Sequence, residues 1–286
     1  MNYSLILLCA GSGKRTGLKY NKIFYKINNQ TVYEMNISHF LEDNRCKQII
    51  VVTKENEIDD IRTLVNDSRI EYVFGGKERQ DSVYEGLQKV KENHVFIHDG
   101  ARPYVSKKSI NDLVECLKTY DAGLLMVPCK DTIKEVKEGI VVKTLKRETL
   151  MQAQTPQVFK SEDIKVAYQK AKDEGYVATD DSQLFERYID KDIKAVLGDY
   201  SNLKITTQED LSQYETIVGT IKNVGDETLL IETNNHQKYL ISIAGAIESN
   251  KGLIKGNRIY IYYEGTLDIK NKDIQSIKVK SYKVLE

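Results

Sequence analysis

Short apolar runs of strand length recur along most of the chain, and segments with a helical spacing of apolar residues separate them. Several runs are rich in Val and Ile without alternation, which is typical of strands covered on both faces. The order of strand and helix predicts a doubly wound, mostly parallel α/β sheet. The predicted strands are Leu5–Cys9, Gln48–Thr53, Ile70–Phe74, His94–His98, Gly123–Pro128 and Ile193–Leu197, and the predicted helices are Thr31–Leu41, Glu57–Asn66, Arg79–Lys91, Lys108–Tyr120 and Glu162–Glu174.

One segment departs from this rhythm by alternating apolar and polar residues. Asp131–Val136 and Ile140–Leu145 flank the turn sequence Lys137-Glu138-Gly139. Alternation on both sides of a short turn that contains glycine is typical of a β-hairpin. We expect this hairpin to project from the sheet as an arm, and arms of this kind often embrace a second subunit.

The pattern changes again after Leu211. Short apolar runs follow one another with Gly, Asn and Asp between them, and no segment of ordinary helical length intervenes. This pattern predicts a small all-β domain, a barrel of the OB or SH3-like kind, so we divide the chain into residues 1–214 and 215–286. The predicted strands are Ile217–Ile221, Leu229–Thr233, Tyr239–Ile243, Ile259–Tyr263 and Ile274–Val279.

The charge balance limits the partners that the whole molecule can attract. Among 286 residues, 42 Lys and Arg stand against 42 Asp and Glu, so the formal net charge is zero. A neutral chain offers no long-range field for nucleic acid or anionic lipid, which favours small partners that are recognised locally.

Cysteine usage indicates a cytoplasmic location, and we expect no membrane partner. The four cysteines contain no Cys-x-x-Cys pair, so we interpret them as reduced thiols. The apolar run Ser4–Ala10 is short, lacks a basic lead and continues directly into Gly11, unlike a signal peptide. We interpret this run as a buried parallel strand.

A glycine-rich loop, Ala10–Arg15, follows the first predicted strand, where open α/β sheets place their ligands. Gly11 and Gly13 allow the backbone to approach a phosphate closely, and the basic residues that follow add positive charge. The loop is not a Walker A sequence and lacks the third glycine of a dinucleotide fingerprint, so a plain turn is the alternative. Lys22 follows in a loop-like stretch, where a solvated lysine is the alternative.

Two further groups of polar residues follow predicted strands. The Gly75-Gly76 turn precedes Asp81 and Ser82 at a helix start, which suits recognition of a base or ribose edge. An ordinary helix cap is the alternative. Asp99 and Arg102 follow the strand that ends at His98, and charged residues in this position usually face the cleft.

The remaining candidates lie near the arm and after the last strand of the α/β region. A polyol phosphate could be held by four of these residues, Thr132, Arg147, Thr155 and Thr179. The alternative is that each of them is an ordinary exposed polar residue. Lys204 lies between a strand and a helix predicted to open at Gln208-Glu209-Asp210, where a capping turn is the alternative.

Together and in this order, these groups resemble the 2-C-methyl-D-erythritol 4-phosphate cytidylyltransferase family of the non-mevalonate isoprenoid pathway, from about Leu5 to Leu211. The resemblance implies a Rossmann-like nucleotidyltransferase sheet. It implies that CTP and 2-C-methyl-D-erythritol 4-phosphate give 4-diphosphocytidyl-2-C-methyl-D-erythritol and pyrophosphate. It also implies Mg²⁺ held mainly by the CTP phosphates, no dedicated metal ligands, and a homodimer formed through the 131–147 arm, which reaches into the neighbouring active site.

The resemblance also implies roles for individual residues. Arg15 and Lys22 would stabilise the transition state, while Arg147 and Lys204 would position the substrate phosphate. The residues that would hold CTP are Ala10, Gly11, Gly13, Gly76, Asp81, Ser82 and Gly100, and those that would line the polyol phosphate site are Asp99, Arg102, Thr132, Thr155 and Thr179.

Four positions depart from the usual residues of the family. Asn21 stands where the family commonly has proline, Ile23 where it has glutamine, Thr16 where it has methionine, and Met151 where it has tryptophan. None of these changes removes a charge that the chemistry needs. Two of them flank Lys22 and therefore bear on its placement.

Two other functions stay open. A ribitol 5-phosphate cytidylyltransferase, which supplies teichoic acid or capsule precursors, resembles this family in fold and in both glycine turns. Ala101, the Arg79–Val83 run and Thr179-Asp180-Asp181 favour the erythritol enzyme. The other function is a non-catalytic nucleotide-binding scaffold, against which we count the joint presence of Arg15, Lys22, Arg147 and Lys204.

The C-terminal module has no motif of its own. Its nearly balanced charge gives no basic footprint for nucleic acid. Alternation puts Tyr260 and Tyr262 on one face and Tyr263 on the other, so either set could stack bases or pack in a core. We expect a module that mediates protein interaction or supports a dimer.

Overall fold

The computed structural model describes residues 1–11, 13–27, 30–207, 210, 216–248 and 252–285. The chain divides into two compact units. The first comprises Met1–Gly13, Leu18–Tyr25 and Gln30–Ile205, and the second comprises Lys14–Gly17, Lys26–Asn29 and Thr206–Glu286. The domain boundary predicted after residue 214 and the helix predicted to open at Gln208-Glu209 lie outside the described residues and stay predictions.

The strands up to residue 197 are β1 (Tyr3–Leu8), β2 (Lys26–Ile27), β3 (Gln30–Thr31), β4 (Cys46–Thr53), β5 (Ile70–Phe74), β6 (His94–Asp99), β7 (Ala122–Pro128), β8 (Lys134–Lys137), β9 (Ile140–Thr144), β10 (Met151–Lys160) and β11 (Ile193–Leu197). Seven of them form one sheet in the order β11-β7-β10-β6-β1-β4-β5. Neighbouring strands are parallel except at β10, which runs antiparallel to β6 and β7. The predicted doubly wound, mostly parallel sheet is confirmed.

Helices cover both faces of this sheet, and β1 shows why its sequence does not alternate. Leu5 and Leu7 pack in one core with Tyr33, whereas Ile6 packs in a second core with Val83. Consecutive residues of β1 therefore enter two different cores, and all of them are apolar. The helices are α1 (Val32–Leu41), α2 (Ile58–Leu64), α3 (Arg79–Leu87), α4 (Lys107–Cys116), α5 (Ser161–Glu174) and α6 (Asp181–Tyr188).

The sequence pattern does not predict β10 or α6. The β10 segment carries Gln, Thr and Pro, which argue against an interior strand. Gln154, Thr155 and Gln157 are nevertheless buried. Gln157 donates to the Asp180 carboxylate (2.9 Å) and accepts the backbone N–H of Ser182 (2.8 Å), so it anchors the start of α6.

The predicted arm is an antiparallel hairpin of β8 and β9. Glu138 and Gly139 at its tip have φ of 51° and 79°, the conformation that a two-residue hairpin turn requires. Every residue of both strands is exposed, including Val136, Ile140 and Val142. The arm therefore presents apolar side chains to solvent in the single chain.

The C-terminal strands are β12 (Thr216–Val224), β13 (Thr228–Glu232), β14 (Lys238–Ser242), β15 (Ile247–Glu248), β16 (Arg258–Gly265) and β17 (Ile277–Leu285). They form one sheet in the order β14-β13-β12-β16-β17-β15. The backbone N–H of Gln275, just before β17, donates to Leu240 of β14 (2.8 Å), so the sheet curls back toward its first edge. The prediction of a nearly barrel-like all-β module is confirmed, although its last strand begins at Ile277 rather than Ile274.

Strand β16 follows the predicted alternation. Tyr260 and Tyr262 are partly exposed and their ring centroids lie 6.5 Å apart, whereas Tyr263 is buried in the core of the module. The pairing of β16 with β17 also contains a register shift between Tyr262 and Tyr263. In the part of the chain that the structure describes, no helix is long and apolar enough to cross a membrane.

Candidate active site

The carboxyl end of β1 lies between the ends of β4 and β6. The backbone N–H of Cys9 donates to the carbonyl of Val52 (2.7 Å), and that of Gly100 donates to the carbonyl of Leu8 (2.9 Å). A Cβ atom on Gly100 would lie 2.6 Å from the Leu8 carbonyl oxygen. Gly100 is therefore required by the close approach of two backbones, beside the loop predicted to bind CTP.

The double glycine after β5 meets the same edge. A Cβ on Gly75 would lie 2.8 Å from Cβ of Ala10 and 2.9 Å from Oγ of Ser82. A Cβ on Gly76 would lie 2.2 Å from Cβ of Asp81. The structure thus brings together Ala10, Gly76, Asp81 and Ser82, which the sequence assigns to one nucleotide site.

Asp81 and Ser82 also act as ordinary capping residues of α3. The Asp81 carboxylate accepts the backbone N–H of Glu78 (3.0 Å), and the Glu78 side chain completes a capping box. The Ser82 hydroxyl donates to the Glu78 carbonyl (3.1 Å). These bonds fix the first turn of α3, and a role in holding CTP stays a prediction.

Both glycines of the glycine-rich loop are among the described residues. Gly11 is exposed and a Cβ there would contact no described atom within 4 Å, while Gly13 has a φ of 62°. Arg15 is exposed on the 3-10 turn Lys14–Thr16. Ser12 lies outside the described residues.

Asn21 anchors the turn that carries Lys22. Its buried side-chain amide donates to the carbonyl of Cys9 (2.7 Å) and to the Glu57 carboxylate (2.7 Å), and its oxygen accepts the N–H of Ile23. Ile23 is itself in the core. Both departures from the family pattern therefore hold the Lys22 turn against the end of β1.

A cluster of opposite charges forms around Asp99, at the end of β6. Its carboxylate lies 2.9 Å from Nζ of Lys204, 3.3 Å from Nε of Arg79 and 3.5 Å from Nε of Arg102. Burial would raise the pKa of Asp99, but the positive charges of Arg79, Lys204 and Arg102 outweigh it and hold the pKa well below its usual range. The structure joins three predicted site residues and adds Arg79, which the sequence marks only through its place after a glycine turn and in the Arg79–Val83 run.

A buried hydrogen-bond relay supports the backbone of Asp99. Burial lowers the pKa of His98 to about 3, so its ring is neutral. Nε2 lies 3.1 Å from the carbonyl of Arg102, which can only accept, so Nε2 carries the proton and Nδ1 accepts the hydroxyl of Thr155 (2.9 Å). That hydroxyl oxygen accepts the N–H of Asp99 (3.0 Å). The Thr155 hydroxyl is thus already engaged within the protein.

Three predicted residues stand apart from this cluster. Thr132 and Arg147 are exposed on either side of the arm, and Arg147 donates to the carbonyl of Lys130 (2.9 Å). Thr179 is exposed just before α6. Among the described residues, no hydrogen bond or ion pair joins Thr132 or Arg147 to the Asp99 cluster.

Residues 1–11, 13–27, 30–207, 210, 216–248 and 252–285 contain no group of three His, Cys, Asp or Glu placed to hold a metal.

Sequence comparisons show which family the chain belongs to. The chain matches the family described as IspD, 2-C-methyl-D-erythritol 4-phosphate cytidylyltransferase, over residues 3–220. A protein of that name from Bacillus cytotoxicus is 42% identical over 214 residues, which cover 73% of this chain and 94% of the relative. Another from Clostridioides difficile is 41% identical over 226 residues, covering 77% and 95%.

Solved structures show the same similarity. The crystal structure of 4-diphosphocytidyl-2C-methyl-D-erythritol synthase from Anaerococcus prevotii superposes with a TM-score of 0.69 at 32% identity, covering 75% of this chain and 94% of that one. The family match ends at residue 220, so it leaves out nearly all of the sheet β12–β17. This chain belongs to the 2-C-methyl-D-erythritol 4-phosphate cytidylyltransferase (IspD) family.

Proposed function

We propose that this protein transfers the cytidylyl group of CTP to 2-C-methyl-D-erythritol 4-phosphate. An oxygen of the acceptor phosphate attacks the α-phosphorus, the bond between the α-phosphorus and the bridging oxygen breaks, and pyrophosphate leaves with the electron pair. The attacking oxygen is already ionised at neutral pH, so no general base is needed. Positioning and charge stabilisation carry the reaction.

The observation that carries the proposal is the cation cluster held by Asp99 beside the Gly75–Ser82 turn, in a chain of this family. Lys204, Arg102 and Arg79 bring three positive charges to one carboxylate. Arg79 also pairs with Asp181. Ammonium and guanidinium groups gathered at one edge of the sheet suit the recognition of an acceptor phosphate.

The other basic residues, the glycines of the two turns and the threonines each have a proposed role in binding or catalysis. Arg15 and Lys22 stabilise the charge that develops on the triphosphate, and Arg147 and Lys204 position the acceptor phosphate. Gly11 and Gly13 bring backbone N–H groups to CTP. The other proposed CTP residues are Ala10, Gly76, Asp81, Ser82 and Gly100, and the acceptor residues are Asp99, Arg102, Thr132, Thr155 and Thr179.

Mg²⁺ accompanies the triphosphate in this proposal. A hard cation that takes most of its ligands from phosphate oxygens and water needs at most one or two carboxylates, which suits a chain without a clustered ligand set among its described residues. Bound there, it would neutralise phosphate charge.

The proposal also includes a homodimer and a cytoplasmic location. The exposed apolar side chains of the arm, Val136, Ile140 and Val142, support pairing of two copies, which would bring Thr132 and Arg147 to a neighbouring site. The four cysteines are free thiols, which suits the cytoplasm.

The test is a pyrophosphate-release assay with CTP and either 2-C-methyl-D-erythritol 4-phosphate or ribitol 5-phosphate. We expect release with the erythritol phosphate. Release with ribitol 5-phosphate alone would overturn the choice of acceptor. Binding of CTP without turnover of either acceptor would favour a nucleotide-binding scaffold.

A further inference from the structure

Arg79, in the first turn of α3, joins two parts of the proposed site. Its Nη1 and Nη2 donate to the two carboxylate oxygens of Asp181 (2.8 and 2.7 Å), and its Nε donates to Asp99 (3.3 Å). Asp181 is fully buried and begins α6, directly after Thr179 and Asp180. One guanidinium therefore connects the glycine-turn helix, the end of β6 and the start of α6.

Gln80 makes a second connection to the same segment. Its side-chain amide donates to the carbonyl of Tyr176 (2.9 Å) and its oxygen accepts the N–H of Ala178 (2.9 Å). The backbone before α6 is thus held at two successive points by α3. The predicted acceptor residue Thr179 lies between these points and Asp181.

The geometry at Arg79 requires an arginine. A planar guanidinium can present one edge to Asp181 and its Nε to Asp99, whereas a lysine ammonium is a single point charge. The Asp181 carboxylate also accepts the hydroxyl of Tyr168, which fixes its orientation. The capping box of Glu78 and Asp81 holds the helix turn from the other side.

We propose that Arg79 and Gln80 are positioning residues that couple CTP binding to acceptor binding. CTP bound at the Gly75–Ser82 turn shifts the capped first turn of α3 as a unit, and Arg79 and Gln80 pass that shift to Asp99 and to the segment before α6, where the acceptor binds. Each substrate then strengthens the binding of the other by the same factor, because coupling between two sites is reciprocal. This inference rests on the proposed function.

The test is calorimetry with a CTP analogue whose α–β bridging oxygen is replaced by methylene, so that the transferred bond cannot break. The analogue is titrated with and without 2-C-methyl-D-erythritol 4-phosphate. In the unaltered protein we expect the acceptor to tighten analogue binding by about 5- to 150-fold, the usual range of coupling. In Arg79→Lys the factor should fall toward one, while the analogue alone binds nearly as before. Arg62→Lys on the exposed face of α2 is the matched control and should keep the full factor.

Gln80→Ala keeps the inference testable if Arg79→Lys fails to fold, because it leaves no buried charge unpaired. It should lower the coupling factor without a comparable loss of melting temperature. The inference would be overturned if the acceptor did not tighten analogue binding in the unaltered protein. It would also be overturned if the variants weakened analogue binding equally with and without the acceptor, because that result would indicate a merely structural role. Absence of pyrophosphate release from the unaltered protein would instead overturn the proposed function.

Discussion

The ammonium group of Lys204 lies 2.9 Å from the carboxylate of Asp99. Lys204 follows the last strand of the α/β unit and Asp99 ends β6, so the pair ties the end of this unit to its centre. In the proposed reaction an incoming phosphate competes with Asp99 for the same ammonium group. The carboxylate thus keeps Lys204 in place before substrate arrives.

Asp99→Asn tests the importance of this carboxylate for stability. The substitution leaves Arg79, Arg102 and Lys204 close together without the charge between them, and we expect a loss of about 3–5 kcal/mol in the free energy of unfolding. Urea denaturation measures it. Asp59→Asn, whose side chain is 95% exposed, is the control and should change stability by less than about 0.5 kcal/mol. Equal effects of the two substitutions would contradict the prediction.

Arg15→Ala and Lys22→Ala test charge stabilisation during the reaction. Each removes one donor to the triphosphate, so turnover should fall by about a hundred- to a thousand-fold. Circular dichroism should show an intact fold. Lys19→Ala, an exposed lysine of the same stretch, should leave turnover nearly unchanged. Near-normal turnover in either test variant would remove that residue from the catalytic set.

His98 should make the stability of the protein depend on pH. The folded protein keeps His98 neutral down to a pKa of about 3, whereas the unfolded chain binds the proton near its ordinary value of about 6.5. The unfolded state therefore binds more protons between these values, and stability falls as pH falls, by up to about 1.4 kcal/mol per unit.

His98→Gln removes this titration. The stability advantage of the unaltered protein over the variant should shrink between about pH 7 and about pH 5, as measured by denaturant unfolding at each pH. A difference in unfolding free energy that stays constant over this range would show that His98 does not titrate as expected.

The arm should determine the oligomeric state. Ile140 is 72% exposed at the start of β9, and Ile140→Lys would place a charge in the proposed dimer contact. We expect the mass in solution, measured by light scattering, to shift from dimer to monomer, with a loss of turnover. Ile269→Lys, at an isoleucine that is 52% exposed in the C-terminal module, should leave the mass unchanged. A dimer that survives Ile140→Lys would place the contact elsewhere.

Deletion of everything after Ser212 tests the C-terminal module. Because the family match ends at residue 220 and the module has its own core, we expect the shortened chain to keep the turnover of its arm-mediated dimer but to dissociate more readily, so that its mass falls on dilution. Activity and mass are measured on the same preparation. A chain of unchanged mass would argue against a dimer-supporting role, and loss of all turnover would show that the module completes the active site.

The sequence predicts the sheet well because its strands are buried on both faces. The fold requires consecutive apolar residues in β1, because Leu5 and Leu7 pack in one core and Ile6 packs in the other. Strand β10 escapes prediction because the partners of its buried polar residues lie elsewhere in the chain, as Gln157 shows by bonding to Asp180 and Ser182 at the start of α6. The local pattern of apolar and polar residues contains no information about partners that lie far away along the chain.

For the same reason, the sequence pattern does not single out two important residues of the site. Arg79 and His98 look like an ordinary helix residue and an ordinary strand residue in the sequence. Their importance comes from Asp181, Asp99 and Thr155, which the chain brings to them only in three dimensions. The glycine turns are predictable because glycines directly after a strand stand out in the sequence, although the contacts that require Gly75 and Gly100, with Ala10 and Leu8, appear only in the structure.

Asn21 shows how two different residues can order the same loop. Its backbone has φ of −65° and ψ of 129°, which is the conformation that a proline ring would impose. A proline, which the resemblance implies for this position in the family, would limit the freedom of the unfolded chain, whereas Asn21 achieves order through the two hydrogen bonds of its amide. Because hydrogen bonds and not a ring hold the Lys22 turn, its order should weaken more steeply on heating than that of a proline-containing turn.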